Sequence, residues 1–462
     1  MAESNVLRKL ACVLIACLAV CTMSFTTVAQ DDPPAESDAA EKPADDADEK
    51  AEEKDDATKP EADRYLAITG GTVHTISGGR LDGATILCKN GRILEIGARV
   101  TIPSGAEVID ATGYEVYPGL IALRSAGIVG GGSPDDSTDV YALNMSVALA
   151  AGITTAVTGN DAAKLTWGTL DDMMVGRGLF EDISYPTSNP AARRELRADL
   201  DRVRQHLRDV AAYEEAKRTD SSAAAPDDKW LRGKYEKYLR LMKRQSTAIV
   251  DADLAAEMLD ITQLTDEYGI RLVIRGAIEA WTIAPQLARA GVSAIVTPRV
   301  RVDEDDRINR PNGSSIENAA ILARHGIKVG FIPVGGMFGP GYQISFGGLA
   351  GRDLLHLPMA AAFAVRGGMS NDDAIRALTL DAARILGLDA RIGSIDIGKD
   401  ADFVITDGHL LHYMTHARWT IVNGRVSYDK STDSLFGHIR PDGEVTQEGP
   451  VDDWPRRLGA PW

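Results

Sequence analysis

The sequence predicts an α/β fold, because helices and buried strands alternate along the central part of the chain. A helix over residues 254–268 is predicted to end at Gly269 and to lead into the apolar strand IRLVIR. A second helix, running toward His325, ends at Gly326 and leads into IKVGFIPV. Repeated helix–strand units favour a parallel sheet. The chain has 462 residues, 44% of them hydrophobic, and residues 118–386 have about the length of a (β/α)8 barrel.

The first 29 residues have the pattern of an export signal. Arg8 and Lys9 precede an apolar stretch, residues 10–20, that is too short to span a bilayer, and Ala29 closes a small-residue cleavage site. A lipoprotein signal with lipidated Cys17 is the alternative. Both interpretations predict an exported protein, periplasmic or extracellular, with no transmembrane anchor in the mature chain.

Residues 30–63 are predicted to form a disordered acidic linker, because they contain almost no large apolar side chains. Residues 31–63 contain 15 acidic residues and 4 lysines, so this segment carries most of the net charge of −17. The rest of the chain is mildly acidic, which argues against nucleic-acid binding. Cys88 is the only cysteine outside the signal, so the mature chain can form no internal disulfide.

Asn90-Gly91, between ATILCK and RILEIG, predicts a type I′ hairpin near the start of the folded part. Around it, and near the other chain end, lie segments that resemble the amidohydrolase superfamily, most closely its imidazolonepropionase-like and dihydroorotase-like members. These segments, in the family's order, are ITGGTVHTISG (68–78), NGRILEIG (90–97), EVIDATGYEVYPG (107–119), ALAAGITTAVT (148–158) and SNDDAIRALTLDAARILGLDARIGSIDIGKDADFVITD (370–407).

The resemblance implies a two-part architecture and a reaction. Residues 64–117 and 387–430 would join in one composite β-sandwich, residues 118–386 would form the (β/α)8 barrel, and residues 431–462 would be a C-terminal tail. Members of the superfamily use a divalent metal such as zinc to hydrolyse non-peptide C–N bonds. They commonly form homo- or hetero-oligomers.

The chain departs from the family pattern where the metal ligands are expected. The first barrel strand ends in YPGLIALRSA (117–126), which places Arg124 and Ala126 at the two histidine positions and Ala122 at the aspartate position. A protonated guanidinium has no lone pair to donate, and alanine has no donor atom.

The remaining strand ends are changed in the same way. By resemblance, Asp251 takes the histidine position of the fifth strand, and Arg275 or Gly276 takes that of the sixth. The seventh strand ends at Thr297, and Val334 stands where the family has its water-orienting aspartate. The sequence therefore predicts no metal cofactor in the barrel.

Arg124, Arg275 and Asp251 allow three interpretations. They form a charge-compensated structural plug, the two arginines form a pocket for a small anionic ligand, or Asp251 acts as a general base in metal-free hydrolysis. We expect Arg124 to lie within salt-bridge distance of Asp251. Arg124→Ala would then cost about 3 kcal/mol, and Asp251→Asn less.

His409, His412 and His416 have a spacing that could suit a metal, but they follow the strand ADFVITD at the far end of the chain. An exposed histidine-rich connector is the preferred interpretation.

Three functions remain open at this stage. The protein is an exported hydrolase of non-peptide C–N bonds, a non-catalytic homologue that binds a small anion, or a scaffold that pairs with an active paralogue. The residues at the strand ends favour the second or the third.

Overall fold

The computed structural model describes residues 63–125, 127–219, 221–333 and 356–433. The export signal, all but the last residue of the acidic linker, Ala126, Val334 and the tail beyond residue 433 lie outside the described residues. The strands in the described ranges are β1 (Tyr65–His74), β2 (Arg80–Lys89), β3 (Arg92–Gly97), β4 (Glu107–Asp110), β5 (Glu115–Pro118), β6 (Leu120–Ala122), β7 (Ile153–Thr158), β8 (Asp161–Lys164), β9 (Met174–Gly176), β10 (Phe180–Asp182), β11 (Thr247–Ala252), β12 (Leu272–Gly276), β13 (Ser293–Val296), β14 (Val329–Phe331), β15 (Phe403–Thr406), β16 (Ala417–Val422) and β17 (Arg425–Asp429).

Helices separate most of the later strands. In the described ranges they are α1 (Pro134–Ser137), α2 (Leu143–Ala150), α3 (Pro190–Thr219), α4 (Lys234–Met242), α5 (Ala255–Tyr268), α6 (Ala284–Arg289), α7 (Asn318–Arg324), α8 (Leu357–Arg366), α9 (Asn371–Leu378) and α10 (Leu380–Leu386), with a short 3-10 turn at Ala280–Thr282.

Both ends of the folded chain join in one eight-stranded sheet, in the order β17-β16-β15-β5-β1-β2-β3, with β4 beside β1. The central link is β15, which pairs antiparallel with both β5 and β16. Alternating side chains of this sheet form a core of their own, in which Ile68, Val116 and Phe403 are completely buried. Strands from residues 64–118 and from residues 403–429 therefore pair in one continuous sheet.

The hairpin predicted at Asn90-Gly91 is confirmed. It connects β2 to β3, and both turn residues have positive φ, 49° for Asn90 and 78° for Gly91. This is the conformation that a two-residue type I′ turn requires.

The centre of the chain contains a five-stranded parallel sheet, β10-β11-β12-β13-β14, in sequential order. A second sheet contains the parallel pair β6-β7, to which β8 and β9 add antiparallel. α5 ends at Gly269 in the left-handed conformation, as its sequence predicts. The central part is thus an α/β structure in which helices follow parallel strands.

Two charged helices, α3 and α4, interrupt the helix–strand alternation between β10 and β11. α3 is 30 residues long, and its buried residues lie in the first 17, ending at His206. Among the described helices, none combines enough length with enough apolar character to cross a membrane.

Candidate functional site

The ends of β11 and β12 place Asp251 beside Arg275, because these parallel strands pair with the two residues in register. Arg275 Nε donates to Asp251 Oδ1 at 2.5 Å, and Arg275 Nη2 donates to Asp251 Oδ2 at 2.8 Å. The same Nη2 lies 3.6 Å from Asp182 Oδ1, at the end of β10. Three adjacent strand ends therefore carry one guanidinium between two carboxylates.

This strand-end cluster (Asp182, Asp251 and Arg275) lies at the protein surface. The side chain of Asp251 is 51% exposed and that of Asp182 is 66% exposed, whereas that of Arg275 is 15% exposed. Bidentate pairing engages both oxygens of Asp251 with one guanidinium and fixes the orientation of the carboxylate. The pair is a partly solvated ion pair, and exposed pairs of this kind contribute roughly 0–1 kcal/mol.

Arg124 follows β6 and is partly buried. The carboxylate expected to pair with it, that of Asp251, has its bidentate partner in Arg275. The salt bridge between Arg124 and Asp251 stays a prediction. Thr297 follows β13 and is buried, while Ala126 and Val334 lie outside the described residues.

A buried carboxylate that the sequence did not single out lies just beyond β12. The side chain of Glu279 is 3% exposed. It accepts hydrogen bonds from the backbone amides of Ala255 at 2.9 Å and Gly313 at 3.2 Å, and from Arg310 Nη2 at 3.0 Å. Burial acts to raise the pKa of Glu279, but these donors outweigh burial and hold the pKa below its usual value. Glu279 thereby fixes the start of α5 against the loop that precedes α7. The only sequence signal was a single acid in the apolar run GAIEAW.

A second buried network joins the eight-stranded sheet to β8. The side chain of Lys164 is fully buried, and its Nζ lies 2.7 Å from Asp400 Oδ2 and 3.0 Å from Asp402 Oδ2. Lys164 also donates to Asn423, and Asp400 accepts from Arg391 at 2.9 Å. Both aspartates lie in the GKDAD part of the motif at 370–407. The two aspartates of the motif thus accept hydrogen bonds in the protein interior. They are not part of the strand-end cluster.

The three C-terminal histidines occupy a connector between β15 and β16. Nδ1 of His409 and Nδ1 of His412 each accept from the backbone amide two residues ahead, at 3.3 Å. His416 Nδ1 lies 3.7 Å from Asp407 Oδ2. His409 is exposed and the other two are partly buried. Within the described parts of residues 63–433, no three His, Cys, Asp or Glu side chains are arranged to hold a metal ion.

Comparison with known proteins finds similarity to amidohydrolases. The model of the amidohydrolase family matches residues 259–445. A 5-methylthioadenosine/S-adenosylhomocysteine deaminase of Symbiobacterium thermophilum is 25% identical over 418 residues, which cover 79% of this chain and 93% of that protein. A dihydroorotase of Geobacter metallireducens is 48% identical over 59 residues, 13% of this chain and 14% of the relative. An amidohydrolase from Thermotoga maritima, with 20% identity and a TM-score of 0.62, covers 79% of this chain and is itself covered completely. The chain is thus similar to amidohydrolases in sequence over residues 259–445 and similar in fold to the Thermotoga maritima protein.

Proposed function

We propose that this protein is a non-catalytic, metal-independent member of the amidohydrolase superfamily that acts by binding a ligand or partner. The observation that carries the proposal is the bidentate ion pair between Arg275 and Asp251 at the ends of β11 and β12. By the resemblance, these are the strand ends at which relatives carry metal ligands. In this chain the same positions hold a cation and its counterion.

The donor set at the strand ends does not suit a divalent metal. Arg275 and Arg124 stay protonated and offer no lone pair. A guanidinium also repels a divalent cation at close range. The carboxylate of Asp251 is held against the guanidinium of Arg275, so a metal bound to Asp251 would lie close to that fixed positive charge. We therefore derive no metal-dependent step for this protein.

Hydrolysis with Asp251 as a general base is the competing function, since the names of relatives include a deaminase and a deacetylase. A base must be free to accept a proton from the attacking water. Arg275 already holds both oxygens of Asp251 in a bidentate ion pair, and neither side chain supplies the activation of water that a bound metal provides. A scaffold role beside an active paralogue requires no general base. It is therefore compatible with the ion pair between Arg275 and Asp251.

The proposal includes the closure of the central strands into one barrel and the folding of the eight-stranded sheet into a sandwich. Closure is supported by close packing between β14 and the residue after β6. A Cβ added to Gly330 would lie 2.2 Å from Leu123 Cδ1, so any side chain at this position would require the Leu123 side chain to move.

A hydrolysis assay tests the proposal directly. The mature chain, with zinc or manganese added, is incubated with 5-methylthioadenosine, S-adenosylhomocysteine, dihydroorotate and N-acetylglucosamine 6-phosphate. We expect no turnover above the protein-free rate for the wild type or for Asp251→Asn. Turnover that follows this chain through purification would overturn the proposal. Its loss in Asp251→Asn would then identify Asp251 as the base.

We also propose that the protein acts outside the cytoplasm, on the basis of the sequence pattern of residues 1–29. Mass spectrometry of the processed N-terminus after expression in a bacterial host tests this. Cleavage after Ala29 is expected, and a lipidated Cys17 would support the lipoprotein alternative. An intact Met1 in a cytoplasmic fraction would contradict export.

A further inference from the structure

A polar cavity of about 260 Å³ lies beside the buried Lys164 network, where the eight-stranded sheet meets the loop between β8 and β9. It shares no residue with the strand-end cluster. Four arginines and three aspartates contribute to its wall together with a tryptophan. The residues that matter for its charge are Arg64, Arg92, Arg391, Arg425, Asp171, Asp172 and Asp400.

The floor of the cavity is built from two hairpin turns with the same local sequence. Asn90-Gly91-Arg92 connects β2 to β3, and Asn423-Gly424-Arg425 connects β16 to β17. Both asparagines and both glycines have positive φ. The turns touch, because a Cβ on Gly91 would lie 3.0 Å from the Asn423 carbonyl oxygen. The two turns therefore deliver an arginine each, Arg92 and Arg425, to one cavity.

Hydrogen bonds from neighbouring residues fix the two turns in place. Arg64 Nη2 donates to the Asn423 carbonyl at 2.9 Å, and its backbone amide donates to Asn90 Oδ1 at 2.9 Å. From the opposite side, Asn423 Nδ2 donates to the Asp172 carbonyl at 3.1 Å. The wall is thus preorganised, which reduces the entropy lost when a ligand binds.

The charges of the cavity favour an anion. The carboxylate of Asp400 is 3% exposed and is already shared by Lys164, Arg391 and Arg92, at 2.7, 2.9 and 3.1 Å. Its negative charge is therefore neutralised within the protein. Lys164 and Arg391 balance Asp400 and Asp402. The three guanidinium groups of Arg64, Arg92 and Arg425 then face two carboxylates, those of Asp171 and Asp172, so the charge balance next to the cavity is positive.

We propose that this cavity binds a small molecule that bears a carboxylate or phosphate group. Arginine side chains match the planar geometry of both groups and bind them with paired hydrogen bonds. The volume is below the roughly 300–1,000 Å³ of pockets for drug-sized ligands, which limits the ligand to a compact anion. Arg425 and Arg64 are its principal contacts, and Trp167 forms an adjacent part of the wall.

Isothermal titration calorimetry of the mature chain with inorganic phosphate and with citrate, at constant ionic strength, tests this assignment. We expect one anion per protomer and binding about tenfold weaker in Arg425→Gln, since one charge-assisted contact is lost. Arg64→Gln is a second variant with the same expected direction. Arg80→Gln is the matched control, because Arg80 is an exposed arginine of the same sheet that pairs with Asp82 outside the cavity.

The outcomes separate this site from the strand ends. Asp251→Asn should bind both anions as the wild type does. Binding of phosphate but not citrate, or the reverse, would identify the group that the cavity accepts. No heat of binding with either anion, or equal affinity in the wild type, Arg425→Gln and Arg64→Gln, would overturn the assignment. The anion titration tests the cavity alone, and the hydrolysis assay tests the strand-end cluster separately.

Discussion

Replacing Lys164 by methionine is expected to lower the free energy of unfolding by about 3–5 kcal/mol, the cost of leaving a buried charge without its partner. Lys164 is fully buried against Asp400 and Asp402, whose side chains are 3% and 5% exposed. Methionine preserves most of the side-chain volume but removes the cation. Urea denaturation of the mature chain, followed by circular dichroism, measures the change.

Lys89→Met is the matched control, because Lys89, in β2 of the eight-stranded sheet, pairs with Asp63 at the protein surface. It should unfold much like the wild type. An equal decrease in the free energy of unfolding in the two variants would show that the Lys164 network stabilises the fold no more than an ordinary surface ion pair. The buried network would then not explain how the two parts of the chain are held together.

The same network predicts how stability depends on pH. Burial acts to raise the pKa of Asp400, but Lys164 and Arg391 outweigh burial and hold the pKa below the 3.8 of an unperturbed aspartate. Because the folded pKa is depressed, Asp400 contributes stability above pH 3.8, and this contribution is lost as pH falls further. In Lys164→Met the contribution from Asp400 should be smaller, so acid unfolding below that pH should show a weaker dependence on pH.

Glu279→Ala is expected to cost about 3 kcal/mol, since it leaves two backbone amides and Arg310 without their acceptor in a buried region. The amides belong to Ala255 at the start of α5 and to Gly313 in the loop before α7. Glu279→Gln should cost less, because one amide oxygen can still accept. The free energy of unfolding in urea is again the measurement.

Glu304→Ala provides the control for Glu279, since Glu304 is an exposed glutamate in the loop after β13. Hydrogen exchange adds a local measurement: Glu279→Ala should speed exchange of the Ala255 and Gly313 amides more than that of amides in the eight-stranded sheet. Uniform acceleration throughout the chain would contradict a local anchoring role.

Local signals explain what the sequence could predict. The turn at Asn90-Gly91 and the helix end at Gly269 depend on residues with positive φ, and both occur where the sequence places them. Asp251 and Arg275 were expected at strand ends, and each is the last residue but one of its strand, β11 or β12. Such features depend on a few neighbouring residues.

Long-range partners explain what the sequence could not predict. Lys164 is 238 residues away from Asp402, and Glu279 is 34 residues away from Gly313. No periodic pattern connects residues at these separations. Strand register decided the partner of Asp251 in the same way, since β11 and β12 bring Arg275 directly alongside it. The sequence favoured Arg124 as the partner of Asp251, and that second salt bridge stays a prediction.

Metal content is the measurement that tests the central claim most directly. The mature chain is expressed in medium supplemented with zinc, manganese and iron, and metal per protomer is determined by mass spectrometry. We expect far less than one equivalent, both in the wild type and in Asp251→Asn, because Arg124 and Arg275 cannot ligate a metal and Arg275 holds a fixed positive charge against Asp251. About one equivalent per protomer, lost in Asp251→Asn but retained when His409, His412 and His416 are replaced, would contradict the claim that the strand ends have exchanged a metal for an ion pair.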